Sequence, residues 1–216
     1  MSISNNIIKF NSIYDIANYI INLEKKRGDD LSVRMMSGNG DKQFFKDVNE
    51  LEKTIKDRSR YIPKGSVFLY FGDVANRNKP DIGYAFQYLA SIRPDIKIIM
   101  IQIREMEKYG VPNFVNTGYY FHNDFDEKHK WGGFEDINNE FKVYSNTKQW
   151  LKLYFLLHKL GKKRSIEHVD IYGTGGNITK QEIYLIDRIN KYVNYTGKLN
   201  NIIVNQFDLE PLIKIN

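Results

Sequence analysis

Three apolar runs of this chain end in glycine, and the residues at those breaks are the ones best suited to chemistry. They are Ser37-Gly38-Asn39-Gly40-Asp41, Phe71-Gly72-Asp73 and Tyr172-Gly173-Thr174-Gly175-Gly176. Glycine permits positive φ and lets backbone N–H groups come close to an anion. A helix that starts directly afterwards adds unpaired donors and a partial positive charge. A phosphate, a carboxylate or a ribose-phosphate is the natural guest. Ser37, Gly38, Asn39, Gly40, Gly72, Gly173, Thr174, Gly175 and Gly176 are therefore candidate ligand-binding residues. No single loop is a complete fingerprint. Gly173-Thr174-Gly175 and Gly38-Asn39-Gly40 each begin a GxGxxG, but the third glycine position holds Ile178 or Gln43. The GxxxxGK[ST] pattern is absent, so Walker-type nucleotide hydrolysis is not expected. Each loop alone is better explained as a turn from strand to helix; the case for a site is that all three share one rim if the sheet is parallel.

Among the carboxylates, Asp73 is the candidate catalytic residue. It follows a strand directly, where it could bind ribose hydroxyls, polarise a nucleophile or hold a metal. The competing reading is a turn-forming Asx residue. Pro80 is a favoured first helical residue, which puts Asp81 in the first turn, where an acid is stabilising without any function. Asp81 and Gly83 complete the ligand-binding candidates. Asp41 or Gly40 is expected to cap a helix, and Thr179-Lys180-Gln181-Glu182 reads as a capping box. The segment Asp81-Ile82-Gly83-Tyr84-Ala85 is similar to the helix that opens over the substrate in nucleoside deoxyribosyltransferases and their relatives. The similarity covers five residues, and the nucleophilic glutamate of that family has no evident counterpart. What the resemblance implies is a nucleoside-like ligand.

Elements that would position these residues follow from periodicity. Ser66 to Ile103 reads as strand, glycine loop, helix, strand: Val67 to Phe71 is apolar, and Ile82, Ala85, Phe86, Leu89 and Ile92 form a helical face ended by Pro94. Ile96 to Ile103 has only Lys97 and Gln102 as polar members, the mark of a strand covered on both faces. Before this unit come a short strand at Ile7 to Phe10 and a helix begun by Ser12 and ended near Gly28. A strand at Leu31 to Met36 and a helix with Phe44, Val48, Leu51 and Ile55 inward lead into it. After it come an apolar helix over Thr147 to Leu160 capped by Asn146, a strand at Val169 to Tyr172, a helix to about Val193 and a strand from Ile202. Alternation at this spacing predicts a Rossmann-like, doubly wound α/β fold with a mainly parallel sheet of five or six strands. The whole chain, 1–216, reads as one domain.

Residues 104–145 break the alternation and read as an insertion of about forty residues, a lid by its length. Gly118 to Phe121 and Phe141 to Tyr144 are its candidate strands. Tyr119, Tyr120 and Trp131 could stack on a base or pack beneath the loop. His122, Asp124, Asp126, Glu127 and His129 fit an exposed polar loop better than a metal site, since no standard ligand spacing is met. No metal ligand is assigned and no cofactor is named by the sequence. His158 lies in an apolar helix and His168 ahead of a strand, neither with a visible partner; Ser37 is not in a GxSxG turn.

The 216 residues suit one α/β domain able to bury about 70% of its unfolded surface. There is no cysteine, which excludes disulfides, Cys-ligated metals and a thiol nucleophile. No apolar run approaches the roughly 20 residues of a membrane span, and MSISNNIIKF lacks the regions of a signal peptide. A soluble, cytoplasmic protein that makes no use of a membrane is expected. The net charge of +6 is dispersed, with Lys25-Lys26-Arg27 and Lys162-Lys163-Arg164 at helix ends, where cations meet the negative end of the helix dipole. A nucleic-acid partner is therefore disfavoured against solvated helix ends, and any sequence-independent binding is expected to be weak. The expected partner is a nucleotide or other anionic small molecule. Two functions compete: a transferase or hydrolase acting on a nucleotide or nucleoside-like metabolite, and a non-catalytic module of the same fold that senses a nucleotide or binds a protein.

Overall fold

The computed structural model describes residues 7–28, 31–37, 45–72, 81–123, 134–137, 140–143, 145–160, 166–170, 187, 190–191 and 202–206. In chain order the elements are β1 (Ile8–Lys9), α1 (Ile13–Arg27), β2 (Val33–Ser37), α2 (Val48–Ser59), β3 (Val67–Tyr70), α3 (Ile82–Ile92) and β4 (Lys97–Ile103). They continue with a 3-10 turn (Arg104–Tyr109), β5 (Gly118–His122), β6 (Phe134–Ile137), β7 (Glu140–Val143), α4 (Ser145–Leu160), β8 (Ile166–Asp170) and β9 (Ile202–Gln206). The main sheet has the order β1-β5-β4-β3-β2-β8-β9, and every pairing in it is parallel. Six of its strands have four residues or more; the two-residue β1 extends one edge. The chain is thus α/β with a Rossmann-like parallel sheet, and β8, β2, β3 and β4 lie side by side in its interior.

The strands read as continuous apolar runs because both faces are covered. Val67, Leu69, Ile99 and Ile101 pack under α1 and α4 with Ile16, Ile20 and Leu157. The alternate residues Phe68, Tyr70, Ile98 and Met100 pack under α2 and α3 with Leu51, Ile55, Phe86 and Leu89. On this second face, Phe86 lies edge-on to Phe68 and to Tyr70, at 6.0 and 4.8 Å between ring centroids, and stacks on Phe114 at 6.2 Å.

Helix ends follow local chemistry, and here the structure corrects three boundaries. Ser12 caps α1 as expected, its hydroxyl accepting from the Asp15 N–H at 3.1 Å, and Gly28 ends it at φ 75°. The cap of α2 is Asp47, not Asp41 or Gly40; its carboxylate accepts from the Glu50 N–H at 3.0 Å, and Glu50 accepts from the Lys46 N–H at 2.7 Å. These two bonds start the helix at Val48, so the aromatic that enters the core is Phe45, while Phe44 lies outside the described residues. Asn146 lies inside α4, which begins at Ser145. Strand β8 runs from Ile166 to Asp170, three residues earlier than periodicity suggested, because its ladder with β2 pairs Val33 with Ile166 and Ser37 with Asp170. His168 therefore lies within the strand, opposite Met35.

Within 104–145, Gly118–His122 joins the main sheet between β4 and β1, and β6 and β7 form a separate antiparallel pair. Gly118 is needed at that join: a Cβ there would meet the Phe10 ring and stand 2.7 Å from the Ile8 carbonyl oxygen.

At the amino edge, Arg93 organises the loops that enter β3 and β4. Its Nε and Nη2 donate to the two Asp95 carboxylate oxygens at 2.7 and 2.8 Å, and Nη1 donates to the Ile62 carbonyl at 3.0 Å and to the Ser59 carbonyl. Asp95 also accepts from the Gly65 N–H at 2.9 Å. The hydrogen bonds from Arg93, with help from the Gly65 N–H and the guanidinium charge, hold the Asp95 carboxyl far below the usual carboxylate range against the opposing effect of burial. A carboxyl depressed in the folded state stabilises above its unfolded value of about 3.9, and that contribution is lost as pH falls towards the folded value. Denaturation in urea between about pH 4 and pH 2 should therefore show stability falling more steeply for wild type than for Asp95→Asn. Identical slopes would show that the fork is not formed in solution.

Candidate functional site

Strand order alone sets which strand ends neighbour one another at the carboxyl edge of the sheet. From β2 the chain adds β3, β4 and β5 on one side, then returns to place β8 and β9 on the other. The order therefore reverses between β2 and β8. Connections leaving the two strands at such a switch point diverge to opposite faces and open a crevice, where ligands of open α/β sheets bind. Ser37, the last residue of β2, is opposite Asp170, the last residue of β8. Gly72 follows the end of the next strand, β3. The strands that precede the three glycine runs, β8, β2 and β3, are thus adjacent, their ends within about 10 Å at the usual strand spacing.

Of the sequence candidates, Ser37, Gly72, Asp81 and Gly83 fall among the described residues. Gly38, Asn39, Gly40, Asp73, Gly173, Thr174, Gly175 and Gly176 lie outside them, as do Asp124, His129, Trp131 and the expected capping box at Thr179 to Glu182. The backbone at Gly72 is set from beneath. A Cβ on Gly72 would stand 2.9 Å from the Tyr70 ring and hydroxyl. The buried Gln102 of β4 donates through Nε2 to the carbonyls of Phe71 at 3.0 Å and Gly72 at 3.3 Å. Its Oε1 accepts from the Ile103 N–H at 2.9 Å. Gln102 thereby holds the chain entering Asp73 against the neighbouring strand. A polar residue inside an otherwise apolar strand was its signal in the sequence; the hydrogen bonds give the reason.

Asp81 is the N-cap of α3, not a residue of its first turn. The helix begins at Ile82, and the Asp81 carboxylate accepts from the Tyr84 N–H at 2.7 Å. Pro80, expected to be the first helical residue, lies outside the described residues. Gly83 is buried in the first turn. Tyr84 of this turn donates its hydroxyl to Glu52 of α2, tying the two helices together on one side of the edge. Burial, then the Glu52 charge, raises the Tyr88 phenol above its usual value, so it stays protonated.

His122 ends β5 at the same edge, opposite Ile103, and is 1% exposed, with Tyr120 beside it at 6.2 Å between rings. It is thus a buried strand-end residue and not part of an exposed loop. Among the described residues no group of three or more His, Cys, Asp or Glu side chains could hold a metal ion. Tyr119 and Tyr120 are half-buried against opposite faces of the sheet, and Tyr119 packs edge-on to Phe121 at 5.6 Å. A separate cleft of about 510 Å³ opens between Ile13 and Tyr14 of α1, Tyr120 of β5, and Lys152, Phe155 and Leu156 of α4.

Among the described residues no helix is long and apolar enough to cross a membrane. No protein-family model and no curated protein matches the chain.

Proposed function

We infer that the carboxyl edge around the β2–β8 switch point binds a nucleotide or nucleoside-like anion, and that the chain is a transferase or hydrolase acting on it in the cytoplasm. The observation that carries this reading is the adjacency of β8, β2 and β3, the strands that precede the three glycine runs in the sequence. Backbone N–H groups of Ser37 to Gly40 and Gly173 to Gly176 would hold phosphate or carboxylate oxygens. Asp73, delivered by the Gly72 turn that Gln102 fixes, would be the catalytic carboxylate, bonding a ribose hydroxyl or polarising the attacking group. Asp81 and Gly83 would line the site from α3, where the resemblance to nucleoside deoxyribosyltransferases falls. Within the 104–145 insertion, the chain that follows β5 would cover the ligand as a lid.

A panel of nucleotides, nucleosides, dinucleotides and divalent metals, read by thermal shift, tests this reading. A ligand at a hundred times its dissociation constant stabilises the folded state by about 2.7 kcal/mol. Stabilisation by a nucleotide or nucleoside is expected, followed by its turnover in a product assay. Binding without turnover would support the second reading, a sensing or interaction module, which the incomplete glycine fingerprints favour. No stabilisation by any phosphate-bearing or nucleoside ligand would overturn the enzyme and the nucleotide sensor alike, and leave the protein-binding module.

A further inference from the structure

Parallel strands oblige each connection to return the chain to the amino edge, where the next strand begins. Basic residues that are dispersed in the sequence are thereby gathered. Lys25, Lys26 and Arg27 close α1, Lys56 and Arg58 close α2, Arg60 and Lys64 follow before β3, and Lys97 opens β4. Lys162-Lys163-Arg164, outside the described residues, joins α4 to β8. Among the described residues, the acids near this edge are Asp95, engaged by Arg93; Glu24, which accepts from the Leu31 N–H at 3.4 Å; Asp57, exposed on α2; and Glu167, the second residue of β8. Asp29 and Asp30 lie outside the described residues.

A second observation comes from the loop before β3. Tyr61 is 68% exposed, and the Arg60 guanidinium lies 4.9 Å from its ring centroid. The backbone beneath them is fixed. The Tyr61 N–H donates to the Arg58 carbonyl at 3.0 Å, Ile62 is buried, and Arg93 holds the Ile62 carbonyl. Arg27 donates to the Lys64 and Gly65 carbonyls at 3.1 and 3.2 Å. A groove of about 520 Å³ runs here past Arg60, Tyr61, Pro63, Lys64 and Arg93. The result is an aromatic face held outward on a rigid loop among exposed cations.

We propose that this amino edge binds single-stranded nucleic acid, with Tyr61 stacking a base and Arg60, Lys64, Lys25 and Lys26 holding phosphates. Any base offers a π-face to such a ring, while cations track the backbone. Bases already stacked in a duplex could not use Tyr61, which favours a single strand. This face lies across the sheet from the glycine rim, so it stands or falls independently of the small-molecule site.

The test is fluorescence anisotropy with a labelled oligonucleotide of about 20 nucleotides, titrated at several salt concentrations from about 50 mM upward. Saturable binding that weakens with salt is expected. Arg60→Glu/Lys64→Glu should lose at least about tenfold in affinity and flatten the slope of log K against log salt by about 1.4, two phosphate contacts at about 0.7 each. Tyr61→Ala should lose about fivefold or more with the slope unchanged, since stacking releases no counterion. Both variants alter exposed side chains, and an unchanged melting temperature confirms their fold. No saturable binding at the lowest salt, or full binding by the charge-reversed variant, would overturn the proposal. Loss on charge reversal with none in Tyr61→Ala, and equal binding of inorganic polyphosphate, would overturn the single-strand assignment in favour of a polyanion or acidic protein.

Discussion

Gly175→Val is expected to abolish binding of the best ligand from the nucleotide panel, a loss of at least about a hundredfold, or about 2.7 kcal/mol. If backbone N–H groups between Gly173 and Asn177 meet an anion, a branched side chain must obstruct that approach. Isothermal titration against wild type measures the loss. The melting temperature has to be followed beside it, because a glycine that needs positive φ would lose stability as well as binding. Asp73→Asn should weaken the same ligand while leaving the melting temperature of the free protein nearly unchanged. Wild-type affinity in both variants would reduce the glycine rim to punctuation between strands and helices.

The second large effect is on stability. Phe86→Ala is expected to cost about 3–5 kcal/mol in urea denaturation. Phe86 is fully buried and touches three other rings, Phe68, Tyr70 and Phe114, which come from β3 and from the chain between β4 and β5. Its removal leaves a cavity walled by rigid aromatics that cannot collapse, and such cavities lie at the costly end of the range. A cost below about 1 kcal/mol would mean that α3 does not pack on the sheet as described. Because Tyr70 lies directly beneath Gly72, the same substitution should also loosen the turn into Asp73 and weaken the ligand.

The interior of the sheet was legible because its signals are local. Val67 to Phe71 and Lys97 to Ile103 are too apolar for anything but strands covered twice, and Ser12, Asp15 and Gly28 mark both ends of α1. The parallel character of the sheet followed from the alternation of strands and helices, which leaves few topologies. What escaped the sequence depends on distant partners. Glu50 and Asp47 made a better cap than Asp41, and only the structure fixes where that helix starts. The register of β8 is imposed by β2, and no periodicity within Ile166–Asp170 announces it. His122 reads as polar loop by composition, yet it ends a strand that the insertion lends to the sheet. The gathering of dispersed lysines and arginines at one edge is likewise a property of the topology, invisible to a count along the chain. At the candidate site, the glycine runs announced themselves, whereas Gln102, which fixes the Gly72 turn, became meaningful only once its two carbonyl partners were known.

The most direct measurement of the central claim is a titration of the labelled protein by the best nucleotide or nucleoside ligand, followed through backbone amide chemical shifts. One ligand bound at the switch point must perturb three separated stretches at the same concentration: residues 37–41, 72–73 and 172–177. Saturation of all three with a single dissociation constant is the expected result. Shifts confined to the Tyr120, Lys152 and Phe155 cleft, or to the amino edge around Tyr61, with the glycine stretches unmoved, would contradict the account.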